Sequence, residues 1–149
     1  MLKIADSIPS FSLKNQDGQT VLITPNDGKV RIIYFYPKDH TKVCTDQACG
    51  FRDWKDSIAE KGIEIIGISS DSVSSHQKFK ARHHLNFTLL SDPKAKVRKQ
   101  FGATYFFGLI PARITYIIGK DGKIKQLYKE MFEGKKHAEN CIKAIENLN

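Results

Sequence analysis

The sequence predicts an α/β fold: a mixed sheet flanked by helices, with a β-hairpin as an N-terminal extension. Three observations carry this. Val30-Arg31-Ile32-Ile33-Tyr34-Phe35-Tyr36 and Ile63-Glu64-Ile65-Ile66-Gly67-Ile68 are short runs rich in β-branched and aromatic residues. Such runs mark strands covered on both faces, as in a parallel sheet. Between them Ala48, Phe51, Trp54 and Ile58 recur at three- and four-residue spacing, the apolar stripe of a helix. Near the end, Arg113–Ile118 and Lys123–Tyr128 flank Gly119-Lys120-Asp121-Gly122, a hairpin signal. The early strand–helix–strand alternation implies a parallel portion and the late hairpin an antiparallel edge.

The elements follow in order. Strands near Phe11–Leu13 and Thr20–Ile23 are joined by Asn15-Gln16-Asp17-Gly18, which is turn chemistry. Pro37 ends the first long strand. A helix is expected from about Thr45, with Gly62 stopping it. Ser74 to His84 reads as a helix capped by Ser72 or Ser74. Leu89-Leu90 reads as a short strand, and Lys94 to Phe101 as a helix closed by Gly102. The last helix, about Lys135 to Leu148, carries Ala138, Ile142, Ile145 and Leu148.

A chain of 149 residues amounts to one domain, 1–149, with enough length for a substantial core. No apolar run approaches the roughly 18–20 residues of a membrane span, so no membrane partner is expected. Lys3 and Asp6 interrupt any signal-like h-region, and three cysteines are too few for a secreted disulfide scaffold, so a cytoplasmic location is expected. The net charge of +8 owes much to a late group that includes Lys94, Lys96, Arg98, Lys99 and Lys120. It reads as a solvated basic surface, with no nucleic acid as partner.

Chemistry concentrates between the first long strand and its helix. In open sheets, sites gather beyond the C-terminal ends of parallel strands, where Pro37–Cys44 falls. A cysteine at a helix start meets free N–H groups and the positive end of the helix dipole, which favour the thiolate. Thr41, three residues earlier, can supply a hydroxyl, and the N–H groups of Val43 and Cys44 can supply two further donors. Cys49 follows five residues after Cys44. Helix geometry puts Cα atoms so spaced roughly 8–9 Å apart, whereas a disulfide tolerates at most ~7 Å. If the two cysteines join, the first turn or two of the helix must unwind. The alternative readings are a buried structural thiol at Cys44, and a metal site using His40, Cys44, Cys49 and His76 or His137. The metal reading lacks the second close ligand pair usual in zinc sites.

Pro37, Thr41 and Cys44 fit Pro-x-x-x-Thr/Ser-x-x-Cys, and here the sequence resembles the peroxiredoxins. Phe35-Tyr36-Pro37-Lys38-Asp39 and Ala48-Cys49-Gly50-Phe51-Arg52-Asp53 look like the subgroup called peroxiredoxin Q, or bacterioferritin comigratory protein. The likeness continues through Leu85–Asp92 and from Phe101-Gly102 to Pro111-Ala112-Arg113-Ile114-Thr115-Tyr116. It implies a thioredoxin-like fold and reduction of hydrogen peroxide and organic hydroperoxides without cofactor, metal or haem. It implies Cys44 as the attacking thiol, Cys49 as its intrachain disulfide partner, and Arg113 as the guanidinium beside the thiolate, with Pro37 and Thr41 as the further motif residues of the catalytic site. It implies a thioredoxin-like reductant, and an intrachain pair needs no second subunit, so a monomer is expected. Two departures stand out. Lys42-Val43 replaces a common Pro-Gly before the cysteine, and Gln47 stands where Glu is also common, able to hold Arg113 by its carbonyl oxygen.

Other readings compete. A disulfide reductase or isomerase on the same fold is disfavoured by the C-x4-C spacing, and a basic nucleic-acid module lacks an aromatic or helix-turn-helix signature. Cys141 reads as a packed spare thiol, His83-His84 as solvated side chains, Trp54 as core, and Tyr105 with Phe106 and Phe107 as an apolar collar or ordinary loop packing.

Overall fold

The computed structural model describes residues 2–59, 62–105 and 110–146. Among these, β1 (Phe11–Asn15) and β2 (Thr20–Ile23) form the N-terminal hairpin, and β3 (Val30–Phe35), α1 (Lys42–Ala59), β4 (Ile63–Ser69), α2 (Val73–Arg82) and β5 (Thr88–Ser91) alternate after it. Then come α3 (Lys96–Phe101), β6 (Thr104–Tyr105), β7 (Ile110–Pro111), β8 (Ile114–Ile118), β9 (Ile124–Lys129) and α4 (Lys135–Glu146). Seven strands make one sheet in the order β2-β1-β5-β4-β3-β8-β9, and β6 and β7 pair separately. The expected mixture is present: β3, β4 and β5 run parallel, while β8 is antiparallel to both β3 and β9.

Successive side chains of a strand point to opposite faces, and β3 feeds two cores. Ile32 and Tyr34, with Tyr36 just beyond the strand, pack with Cys44, Ala48 and Phe51 of α1, Phe79 of α2, and Ala138, Cys141 and Ile145 of α4. Ile33 and Phe35 pack on the other face with Val97 and Phe101 of α3 and Tyr116 of β8. Each such side chain, fully buried, contributes about 1.5–3 kcal/mol of transfer free energy. Trp54 is half-buried against the first core. Ile58 and Leu148 fall where side chains are not described.

Two helix starts differ from the sequence reading by two residues or more. α1 starts at Lys42, because Lys42-Val43 does not oppose helical dihedrals and the Thr41 carbonyl accepts the Thr45 N–H at 2.9 Å. Cys44 is therefore the third residue of the helix. α3 starts at Lys96 rather than Lys94: a turn closes from Ala95 N–H to Asp92 O, and Ala95 has φ 55°. The Asp92 carboxylate then accepts the N–H groups of Val97 and Arg98. Gly102, at φ 71°, ends α3 as expected, a left-handed position that glycine takes without steric cost. β6 and β7 went unanticipated because two-residue strands carry no readable period.

Tyr34 is 1% exposed and stacks on Phe51 with ring centroids 4.8 Å apart. Its hydroxyl finds no hydrogen-bond partner among the described residues, and a buried unpaired hydroxyl is destabilising. Tyr34→Phe is expected to raise the urea midpoint, by about 1 kcal/mol in unfolding free energy, with an unchanged denaturant slope.

Candidate active site

β3 delivers the chain to Tyr36-Pro37, four residues, 38–41, form a turn, and α1 begins. Cys44 sits in the first turn of α1, 1% exposed, with its side chain directed at the sheet. The first N–H groups of a helix have no intrahelical acceptor, so those of Lys42, Val43 and Cys44 lie free around the start of α1.

Arg113 immediately precedes β8, the antiparallel neighbour of β3. Its side chain is 3% exposed, so the guanidinium must find acceptors inside. Nη2 donates to Cys44 Sγ at 3.2 Å, Nη1 to Gln47 Oε1 at 2.6 Å, and Nε to the Met131 carbonyl at 3.0 Å. Two of these acceptors are neutral, which leaves the sulfur as the group in this set able to carry the balancing negative charge. The guanidinium thus faces the sulfur directly.

The Met131 segment is fixed from two sides. Gly134 lies against the first turns of α1, where a Cβ would strike the Val43 carbonyl and the Gln47 N–H. Only glycine permits that approach. On the other side His137, fully buried, has Nε2 2.8 Å from the Glu130 carbonyl and Nδ1 2.6 Å from Thr115 Oγ1. A carbonyl only accepts, so Nε2 carries the proton and Nδ1 accepts from the threonine hydroxyl. Burial, as the largest cause, pushes His137 down to about 4, so the ring is neutral at ordinary pH.

A second buried arginine braces the site from the far side of the sheet. Arg98, 2% exposed, donates to the carbonyls of Tyr36, Ala103 and Ala112 and lies over the Phe35 ring at 5.5 Å. Tyr36 precedes Pro37 and Ala112 precedes Arg113, so one guanidinium fixes both chains that enter the site. Burial pushes it down to about 10, which leaves it cationic. This corrects the reading of the late basic group as solvated: Arg98 belongs to the interior. Its signal in the sequence is faint, a basic residue between Val97 and Phe101 in a short helix.

The AhpC/TSA family profile matches residues 4–127. The chain belongs to this family. It is 45% identical over 141 residues to a chloroplastic peroxiredoxin Q of Triticum aestivum, which covers 94% of this chain and 65% of that protein. A chloroplastic peroxiredoxin Q of Populus jackii is 43% identical, covering 94% and 66%. The chain thus spans about two thirds of the length of these curated relatives. The crystal structure of peroxidoxin BcpB from Mycobacterium tuberculosis superposes with a TM-score of 0.91 at 29% identity, covering 100% of this chain and 99% of that one. A cysteine-to-serine variant of Xanthomonas campestris peroxiredoxin Q does so at 0.85 and 26%, covering 93% and 92%. The recognition as a peroxiredoxin of the Q, or bacterioferritin comigratory protein, subgroup and the thioredoxin-like fold stand on these likenesses.

Within this peroxiredoxin the residues singled out in the sequence fall as follows. Cys44, Gln47 and Arg113 are brought into contact. Pro37 is half-buried beside the Tyr36 carbonyl that Arg98 holds. Thr41 is exposed, and its hydroxyl donates to the Lys38 carbonyl at 2.8 Å, so that proton closes the turn instead of facing the sulfur. Cys49 is half-buried on the same unbroken helix, and burial raises its thiol. All three cysteines are free, and Cys141 is packed, pushed up to about 12 by burial. His84 is exposed; His83 is half-buried, its ring edge-on to Phe79. Of the residues weighed as metal ligands, only His76 falls in a compact group of potential ligands, with Asp39 and Asp71, and neither cysteine is in it. Phe106 and Phe107 lie outside the described residues.

Two outcomes are expected. Gly134→Ala should push the Met131 segment off α1, cost about 1–3 kcal/mol in urea unfolding through overpacking, and slow alkylation of Cys44 by iodoacetamide. The second concerns His137. Its folded value lies below that of the unfolded chain, so the unfolded chain binds a proton first and stability falls as pH drops from 6.5 towards 4. That window should cost the native protein about 3 kcal/mol, and His137→Gln should remove that part of the slope in urea melts.

Proposed function

We propose that this chain is a two-cysteine thiol peroxidase acting on hydrogen peroxide and organic hydroperoxides. The observation that carries the reading is the 3.2 Å contact between Arg113 Nη2 and Cys44 Sγ at the first turn of α1. The Cys44 thiolate attacks one oxygen of the hydroperoxide. An S–O bond forms as the O–O bond breaks, sulfur is oxidised, and the departing alkoxide or hydroxide takes a proton to leave as alcohol or water. Arg113 and the helix N–H groups stabilise the charge that grows on the leaving oxygen. The sulfenic acid at Cys44 then condenses with the Cys49 thiol, forming the S–S bond and releasing water. A dithiol protein of the thioredoxin type reduces that bond by exchange, returning two thiols and leaving oxidised itself.

Support for the first step is the geometry, together with the family. Support for the second is the likeness to the family, along with the half-exposure of Cys49 five residues after Cys44 on α1. Cys141 is too deeply packed to serve in its place. The proposal includes a monomer, since both thiols come from one chain. It also includes a cytoplasmic setting, which is supported by the cysteine count and the absence of a signal-like apolar run around Lys3 and Asp6, the relatives named above being chloroplastic.

The test is intact mass with peptide mapping after one equivalent of hydrogen peroxide. Loss of two hydrogens mapped to Cys44 and Cys49 is expected. Cys44→Ser should abolish peroxide consumption, and Cys49→Ser should stop at a sulfenic acid on Cys44 that dimedone traps. Full activity in Cys44→Ser would refute the assignment.

A further inference from the structure

The turn between β3 and α1 carries a buried carboxylate. Asp39 is 2% exposed. Its Oδ1 accepts from the Tyr36 hydroxyl at 2.6 Å, and its Oδ2 from Ser75 Oγ at 2.9 Å and from His76 Nδ1 at 2.7 Å. Its N–H donates to Asp71 Oδ2 at 2.8 Å, and that carboxylate is held in turn by Ser69 Oγ. Burial acts to raise Asp39, but the hydrogen bonds from His76, Tyr36 and Ser75 and the charge of His76 outweigh it and hold the carboxyl below its usual range.

His76 is fully buried, and its Nε2 lies 3.0 Å from the Leu90 carbonyl. Both ring nitrogens therefore face groups that only accept. With a proton on each nitrogen the ring pairs with the Asp39 carboxylate on one side and the Leu90 carbonyl on the other. His137 is the contrast in the same molecule, with one acceptor, one donor and a neutral ring. Through His76 the turn is tied to α2 and to β5, and through Asp71 to the connection after β4. Breaking one side of such a buried pair is strongly destabilising.

This anchor stands three residues before α1, whose start must move. Cys44 and Cys49 share an unbroken helix, so their disulfide requires the start of α1 to unwind. From Asp39 to Cys44 the chain can extend roughly 17 Å, enough for the thiols to meet while Asp39 stays in place. His40, at φ 64°, takes a left-handed conformation uncommon outside glycine directly after the anchored residue.

We propose that His76, acting through Asp39, is a positioning residue for Cys44: it fixes the upstream end of the segment that unwinds and so favours the folded helix start, in which Cys44 faces Arg113. The anchor confines unwinding to residue 40 and beyond. Without it the unwound form gains the freedom of residues 37–39 and becomes more populated. The two chemical steps then respond in opposite directions. Attack on peroxide, which needs the folded start, slows; disulfide closure, which needs the unwound one, quickens. The kinetic part rests on the peroxidase reading, and the opening of the helix start does not.

The experiment compares native protein, His76→Gln and Ser75→Ala. Glutamine can donate to Asp39 or to Leu90 but carries no charge, and Ser75→Ala removes one hydrogen bond while keeping the ion pair, so a graded variant remains if His76→Gln fails to fold. Hydrogen exchange by mass spectrometry over residues 40–49 is read first. It should quicken in the order native, Ser75→Ala, His76→Gln, about tenfold in the last, one power of ten corresponding to a modest loss of anchoring. Stopped-flow oxidation with hydrogen peroxide, followed by Trp54 fluorescence and quenched-flow thiol mapping, should show a slower first phase and a faster disulfide phase. Unchanged exchange over residues 40–49 in a folded His76→Gln overturns the proposal. So do two phases that slow together with a general rise in exchange, the signature of a merely structural histidine. If native protein does not react with peroxide, the peroxidase reading fails, and the exchange comparison still decides the anchor.

Discussion

A guanidinium shut away from water must be surrounded by acceptors, and the arrangement around Arg113 follows from that requirement. Its three partners come from different places: the sulfur and amide from α1, the carbonyl from the segment after β9. None of them could be in reach unless β8 lay beside β3, α1 sat over the same face, and the chain after β9 doubled back onto the helix start. The antiparallel insertion of β8 next to a parallel strand is what puts an arginine at the mouth of a β–α turn. The first core, with Phe51, Phe79 and Ile145, holds α1 at the required height above the sheet.

The two interior arginines divide the task. Arg98 touches backbone carbonyls and an aromatic ring, so its charge is spread over dipoles and it fixes main chain. Arg113 touches a sulfur, an amide and one carbonyl, so its field is available to a reacting group. A glutamate at position 47 would draw that field to itself. Gln47 supplies the same acceptor geometry without the competing charge, although its Nε2 is left without a partner among the described residues.

The parts of this molecule that could be read from sequence are those set by local pattern. The apolar runs at Val30 and Ile63, the stripe through Ala48 and Phe51 and the Asp121-Gly122 turn each declare themselves within ten residues, and their pairing follows from few topological rules. Cys44 and Cys49 stood out through their likeness to a family motif that begins at Pro37, a cysteine alone reading equally as a buried structural thiol, and Arg113 because a charge opening an apolar strand matched the same family. What escaped was long-range. The burial of Arg98 depends on carbonyls 62 and 14 residues away. The pairing of Asp39 with His76 spans 37 residues and joins two side chains that look like surface polar groups in isolation. Gly134 looks like a loop glycine until α1 is seen against it. The Thr41 hydroxyl, expected at the sulfur, was misplaced because a three-residue backward hydrogen bond to Lys38 satisfies it first.

Cys141 gives the protein an internal clock. Its thiol is packed between α4 and the sheet and stays protonated well beyond neutral pH, so a soluble thiol reagent cannot touch it while α4 is docked. Each labelling event at that sulfur records one excursion in which the helix has lifted from the sheet. The other two cysteines report events at the start of α1, so a single alkylation time course sorts motion of the active-site turn from opening of the whole domain, with no probe added to the chain.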